Sequence, residues 1–253
     1  MPKHATILAV NKLLHPVRLA TYASRCGNDP YRALELYKWN LQLSASFQQV
    51  LAVTEVALRN AIDEQLRTWN ALQPHHTPSS VLAQPNGSHG QHWLLDPARP
   101  LNSLTRDSRR TARKHAEEAE GTRDPAHPRK GAPITHDDIL AQLTFGVWPK
   151  LLPTKDSADS NYRGRRILWQ QALRHAFPYS VSDPDGYIIA DRAGRLHGLR
   201  NRVSHMEPLL GVNITARHND ALRLLGTISP EARDWCAGMS TVIEIRRKCP
   251  IDL

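Results

Sequence analysis

The sequence predicts an all-α protein, a helical bundle with proline-rich loop insertions. Three observations carry that prediction. A stretch of more than forty residues, 31–72, holds apolar side chains at helical spacing with no glycine or proline inside it. Sustained period-two alternation is lacking, and Asn86-Gly87 sits in a polar loop rather than between β-rich runs. The other periodic segments are bounded by helix-start and helix-stop residues.

The elements follow in order. Asp29-Pro30 places an N-cap acid before a first-turn proline and opens one long helix, or two with a small break. Within it Leu36, Leu43, Val50, Ala57 and Ala61 recur near one face, and Leu41, Phe47, Leu51, Leu58 and Ile62 widen that stripe. A helix with so wide an apolar face needs other helices around it. Residues 74–100 carry five prolines among Ser, Asn, Gly and His and read as a loop insertion. A charged helix follows over about 101–120, then a second proline-bearing loop, 121–133. Thr135-His136-Asp137-Asp138 resembles a capping signal and opens a helix to about 152. Further helices are expected at about 161–177, 187–206, 215–225 and 229–248. The last begins Ser229-Pro230-Glu231 and ends Arg246-Arg247-Lys248, in agreement with the helix dipole. The expectation is a single domain, 1–253, with its two loop insertions.

Composition narrows the class. Of 253 residues, 33 are Lys or Arg, 24 are Asp or Glu and 13 are His, a formal net charge of +9. Such an excess favours polyanions, with a merely solvated surface as the alternative. No apolar run approaches the roughly 20 residues a membrane-spanning helix needs, so no membrane partner is expected. The run 5–10 is too short for a signal-peptide core, which points to the cytoplasm. Cys26, Cys236 and Cys249 are far apart and include no C-x-x-C, so idle thiols are expected. The phosphate-loop, dinucleotide, zincin and nucleophile-elbow motifs are all missing. His75-His76 and His89-x-x-His92 come nearest to ligand spacing, but in a proline-rich segment they read as solvated loop histidines. No metal and no cofactor are expected.

One segment carries candidate chemistry, 196–208. Ile189, Ala193, Leu196, Leu199, Val203 and Met206 mark its buried stripe. Asn201 and His205 are i, i+4 neighbours off that stripe, and Arg200 and Ser204 form the adjacent row. Pro208 ends the helix near Glu207 and leaves His205 in the last turn, where the dipole favours a cation. Arg200 and His205 are about 140° apart around the axis, a gap a long guanidinium can cross. Arginine clamps a phosphate and histidine shuttles a proton, which together suit phosphodiester chemistry. RNA supplies its own nucleophile, the 2′-hydroxyl. The alternative is a helix end whose cations satisfy the last carbonyls.

Two further clusters stand beside it. Glu55, Arg59 and Asn60 lie in the long helix, where Glu55 and Arg59 form an i, i+4 ion pair or, if part-buried, orient a basic group. Arg106, Arg109, Arg110, Arg113 and Lys114 form a basic stripe, read either as a phosphate track or as a solvated face balanced by Glu117, Glu118 and Glu120.

Four blocks in order, Tyr37-x-Trp39-Asn40-x-x-Leu43-Ser44, residues 55–63, Leu143-Thr-Phe-Gly146-Val-Trp148 and residues 199–208, resemble the Abi-like proteins, bacterial abortive-infection proteins of the HEPN superfamily. The resemblance covers roughly 20–210. It implies a HEPN-type helical bundle and a metal-independent endoribonuclease, an antiphage effector or toxin. It maps the family's Arg-x-x-x-x-His motif to Arg200 and His205, with Asn201 as the polar residue after the arginine. Glu55, Arg59, Asn60, Arg202, Ser204 and Glu207 would support the site. A homodimer formed through the motif helix is implied, with RNA as substrate and an antitoxin protein or small regulatory RNA as possible control. One departure is Met206, where a small or basic residue is expected; it is expected to be neutral. The alternative is a non-catalytic HEPN module that binds nucleic acid or a partner.

Overall fold

The structure, a computed structural model, describes residues 4–75, 77 and 83–252; His76 therefore lies outside the described residues. Every regular element among them is helical. In chain order these are α1 (His4–Leu14), α2 (Pro16–Arg25), α3 (Pro30–Ala71), α4 (Leu101–Gly121), α5 (His136–Gln142), α6 (Val147–Leu151), α7 (Tyr162–Gln171), a 3₁₀ turn (Leu173–Ala176), α8 (Tyr187–Ser204), α9 (Ile214–Ile228), α10 (Pro230–Met239) and α11 (Val242–Arg247). None is long and apolar enough to cross a membrane. The chain divides into two compact units: residues 1–54, 195–223 and 231–253 form one, and residues 55–194 and 224–230 the other.

The long helix starts as its cap demands. Asp29 Oδ1 accepts from the backbone N–H groups of Tyr31 (2.8 Å) and Arg32 (3.2 Å). In the first unit Leu36, Leu43, Phe47 and Val50 of α3 are fully buried. Trp39 donates its indole N–H to the Ile245 carbonyl at 2.7 Å. α1 and α2 pack together ahead of this helix. Both are short, and neither carries a long apolar stripe that would announce it in the sequence.

In the second unit α4 packs on α5, α6 and α7. The polar centre here is Asp63 of α3. Its Oδ1 accepts from Trp93 Nε1 (2.8 Å) and His136 Nε2 (2.9 Å), and its Oδ2 from Arg67 Nε (2.6 Å). Arg67 also bonds Asp137. Burial alone raises the Asp63 pKa; the bonds from His136, Arg67 and Trp93 outweigh it and hold the carboxyl below its ordinary value. At the start of α5 the capping box is formed: Thr135 Oγ1 accepts from Asp138 N–H while Asp138 Oδ2 accepts from Thr135 N–H. Arg123 (3.1 Å) and Arg129 (2.6 Å) close on the same Asp138 carboxylate and tie the 121–133 loop to that helix end. Burial opposes ionisation of Asp138, and the Thr135, Arg129 and Arg123 bonds overcome it, so this carboxyl sits well below the usual carboxylate range.

Three expected helices are broken. The 135–152 segment divides into α5 and α6, with Leu143 extended between them. A continuous helix would carry Pro149 in its interior, without an N–H and against the preceding turn. Restarting at Val147 puts that proline in a first turn, where no N–H is needed. The 161–177 segment tightens from α7 into the 3₁₀ turn at Ala172. The 229–248 segment divides at Ser240-Thr241, where Ser240 Oγ accepts from Val242 N–H at 3.4 Å and also meets His218 Nε2 at 2.9 Å. A serine hydroxyl competing for backbone groups is a recognised helix stop.

Candidate functional site at the end of α8

The C-terminal turn of α8 closes in a Schellman arrangement. Glu207 N–H donates to Arg202 O (2.9 Å) and Met206 N–H to Val203 O (3.1 Å), with Met206 at φ +53. The position that usually takes glycine thus holds a methionine that is 47 % exposed. The last helical residue is Ser204, and His205 follows as the capping residue with its N–H on Asn201 O (2.9 Å). Two residues far away in sequence steady the turn. The buried Asn40 of α3 accepts from Leu209 N–H at 2.8 Å. Arg18 of α2 donates from Nη2 to the Met206 carbonyl at 3.1 Å. One helix turn earlier than the motif, Arg195 grips the buried Asp220 of α9 bidentately (2.9 and 2.8 Å), and Arg217 adds a third contact at 3.1 Å.

The motif residues occupy this end together. His205 is exposed and Arg200 and Asn201 are half-buried. The spacing pairs Asn201 with His205; in the structure its side-chain amide instead meets His197 Nε2 at 3.2 Å, one turn back. Arg202 pairs with Glu207 at 3.5 Å and donates to Pro208 O at 3.4 Å, so these two supporting residues brace the turn itself. Ser204 is exposed. His197 and Arg18 are additions the motif reading missed. His197 was open to the same i, i+4 rule that selected Asn201; for Arg18 no local signal exists.

Glu55, Arg59 and Asn60 belong to the other unit. Glu55 and Arg59 form a part-buried ion pair at 3.3 Å, Arg59 Nη2 also lies 3.5 Å from the Leu143 carbonyl at the end of α5, and Asn60 is exposed. The pair thus helps close the α5 terminus within its own unit. The α4 stripe is not uniform. Arg106, Arg110, Arg113 and Lys114 are exposed, the last three beside Asp107, Glu117 and Glu118. Arg109 departs from them. Its guanidinium turns inward to Thr105 Oγ1 (3.0 Å) and Asn102 Oδ1 (2.9 Å), and burial followed by the Arg106 charge lowers its pKa.

The loop histidines also depart from expectation. His89 is buried, not solvated, and its Nδ1 lies 2.9 Å from Asp96 Oδ2. His75 Nε2 lies 3.5 Å from the other oxygen of Asp96, and the two imidazole rings are 4.4 Å apart. Among the described residues these three are the group that can offer converging ligand atoms to a metal ion. His92 remains exposed outside the group. All three cysteines are free thiols, Cys26 and Cys236 buried. Comparison with protein-family models, with curated proteins and with solved structures finds no match for this chain. The arrangement of its own residues is therefore the basis for a functional reading.

Proposed function

We propose that this chain is a HEPN-type, metal-independent endoribonuclease, an antiphage abortive-infection effector or toxin. The observation that supports this reading is the end of α8, which carries Arg200, Asn201 and an exposed His205 within six residues, with Arg18 anchored at the Met206 carbonyl that follows. Guanidinium groups and an imidazole at one accessible helix end match the needs of a scissile phosphodiester. Arg200 holds the phosphate and offsets the charge that builds on its oxygens. His205 takes the proton from the attacking 2′-hydroxyl or gives one to the departing 5′-oxygen. The 2′-oxygen–phosphorus bond forms as the phosphorus–5′-oxygen bond breaks, leaving a 2′,3′-cyclic phosphate and a 5′-hydroxyl. Each chain contributes one such histidine, so a homodimer through α8 would supply both proton-transfer roles. Exposed Arg106, Arg110, Arg113 and Lys114 add salt-sensitive attraction for RNA. An antitoxin protein or small RNA would restrain the activity in the cell.

One observation favours a second reading, a module that binds nucleic acid or a partner without cleaving. Asn201 is engaged by His197 rather than by His205. The test separates the two. Single-stranded RNA is incubated with wild type, Arg200→Ala and His205→Ala, with and without EDTA. Loss of roughly 10²–10⁴-fold in cleavage by His205→Ala is expected for a general acid or base. Undiminished cleavage by both variants sinks the assignment. RNA binding without cleavage by the wild type selects the module.

A further inference from the structure

The 74–100 segment contains a site that the α8 chemistry does not use. His75, His89 and Asp96 bring three ligand-type side chains together, with ligand atoms all within 4.8 Å of one another. Their side chains are 10, 4 and 16 % exposed. A half-buried carboxylate is favoured by a positive charge beside it. The His75 and His89 imidazoles, tilted 43° to one another, both face that carboxylate and can share a cation with it.

We propose that His75, His89 and Asp96 bind a divalent first-row transition metal, of which zinc is the type, as a structural clamp on the 74–100 segment. Geometry comes first. Zinc–nitrogen and zinc–oxygen bonds of about 2.0–2.2 Å place tetrahedral donors about 3.3 Å apart. His89 Nδ1 lies 2.9 Å from one oxygen of the Asp96 carboxylate and His75 Nε2 3.5 Å from the other, and one ligand atom from each residue falls within 4.8 Å of the rest, so small side-chain shifts bring the three to that spacing. Two imidazoles and one carboxylate form a donor set for zinc or its neighbours and leave room for water. Binding requires His75 to carry its proton on Nδ1, so the Thr77 N–H bond to that atom (3.0 Å) gives way.

The surroundings hold the ligands in place. Asn70 of α3 is fully buried and donates to the carbonyls of Gly90 (2.7 Å) and Asp96 (2.9 Å), while its Oδ1 accepts from Ala98 N–H (2.8 Å). One side chain thus fixes the backbone beside His89 and at Asp96. A bridge between Pro74 and Ser88 sets His75 against His89, with His75 N–H on Gly87 O and His89 N–H on Gln73 O (both 2.9 Å). A cavity of about 530 Å³ opens beside His89, lined by Gln84, Asn86, Ser88 and Gln91. A long proline-rich connection gains most from such a clamp.

The test uses the full chain, prepared without an affinity tag that binds metal. Metal content is measured by mass spectrometry, and the stripped protein is titrated with Zn²⁺ by calorimetry and with Co²⁺ by visible absorption. One equivalent per chain and a four- or five-coordinate Co²⁺ spectrum are expected. His75→Ala and Asp96→Asn, checked for helix content, should weaken Zn²⁺ binding at least tenfold, whereas His92→Ala binds as wild type. No stoichiometric binding by wild type overturns the proposal and leaves a carboxylate shared by two imidazoles. Binding that survives in both variants overturns it equally. The Co²⁺ spectrum of wild type decides the matter even if a variant misfolds. None of these readouts depends on RNA cleavage.

Discussion

Replacing Asp63 by alanine should destabilise its unit by about 3–5 kcal/mol, because it strips acceptors from two buried donors at once. The figure follows from the contacts. Asp63 is 5 % exposed and receives Trp93 Nε1–H at 2.8 Å, His136 Nε2–H at 2.9 Å and Arg67 Nε–H at 2.6 Å. In the alanine variant the indole and imidazole N–H groups have no water to turn to, since Trp93 and His136 are 0 and 1 % exposed. Each such loss costs about 1–3 kcal/mol. Arg67 retains Asp137 and a solvent-facing edge, so it adds less. Asp63→Asn sharpens the argument. Its oxygen still serves Trp93 and His136, while its NH₂ now opposes Arg67 Nε–H, so about 1.5–3 kcal/mol is expected from that one charge-assisted bond. Urea unfolding followed by tryptophan fluorescence, with far-ultraviolet dichroism as a second probe, measures both. An alanine variant within about 1 kcal/mol of wild type would refute the reasoning, since it would mean these donors find other acceptors at little cost.

Other outcomes follow from single features. Met206→Gly should stabilise the first unit by about 0.5–1 kcal/mol, by removing a Cβ from the left-handed position at the end of α8, while Met206→Ala should be near neutral; equal urea midpoints for the two variants would contradict this. Gly186→Ala should cost about 2–4 kcal/mol, because φ is +73 and a Cβ there would lie 2.6 Å from the Trp169 ring; an unshifted melting temperature would contradict it. The folded-state pKa values of Asp63 and Asp138 are lowered. Their contribution is therefore complete above the unfolded value near 4 and is lost as pH falls below it through the folded values. Stability should drop as pH is taken from about 5 to 3, and Asp138→Asn should flatten that slope.

The legible parts of this protein are those where neighbours in sequence are neighbours in space. Asp29-Pro30 and an uninterrupted apolar stripe announce α3 to within a residue at each end, because capping and helical periodicity are local. Thr135 and Asp138 announce α5 for the same reason. The breaks near Leu143 and Ser240 are less legible, since periodicity continues across both; Pro149 was a usable signal, whereas the Ser240 hydroxyl that meets Val242 N–H is also held by the distant His218. The candidate site divides along the same line. Arg200, Asn201 and His205 could be gathered by counting along one helix. Arg18 and Asn40, which hold that helix end, are 188 and 169 residues from their partners and leave no local trace.

The loop histidines show the limit most sharply. A segment rich in Pro, Ser, Asn and His reads as solvated on composition, and composition carries no information about where its backbone groups go. Buried Asn70 serves three backbone groups there, at Gly90, Asp96 and Ala98, with a single amide. With those groups satisfied from α3, His89 is buried beside a half-buried Asp96. The deciding residue is a lone polar side chain near the end of an apolar helix, where the sequence pattern offers no reason to single it out. A polar loop is therefore solvated only when no buried amide nearby is in a position to accept and donate for it.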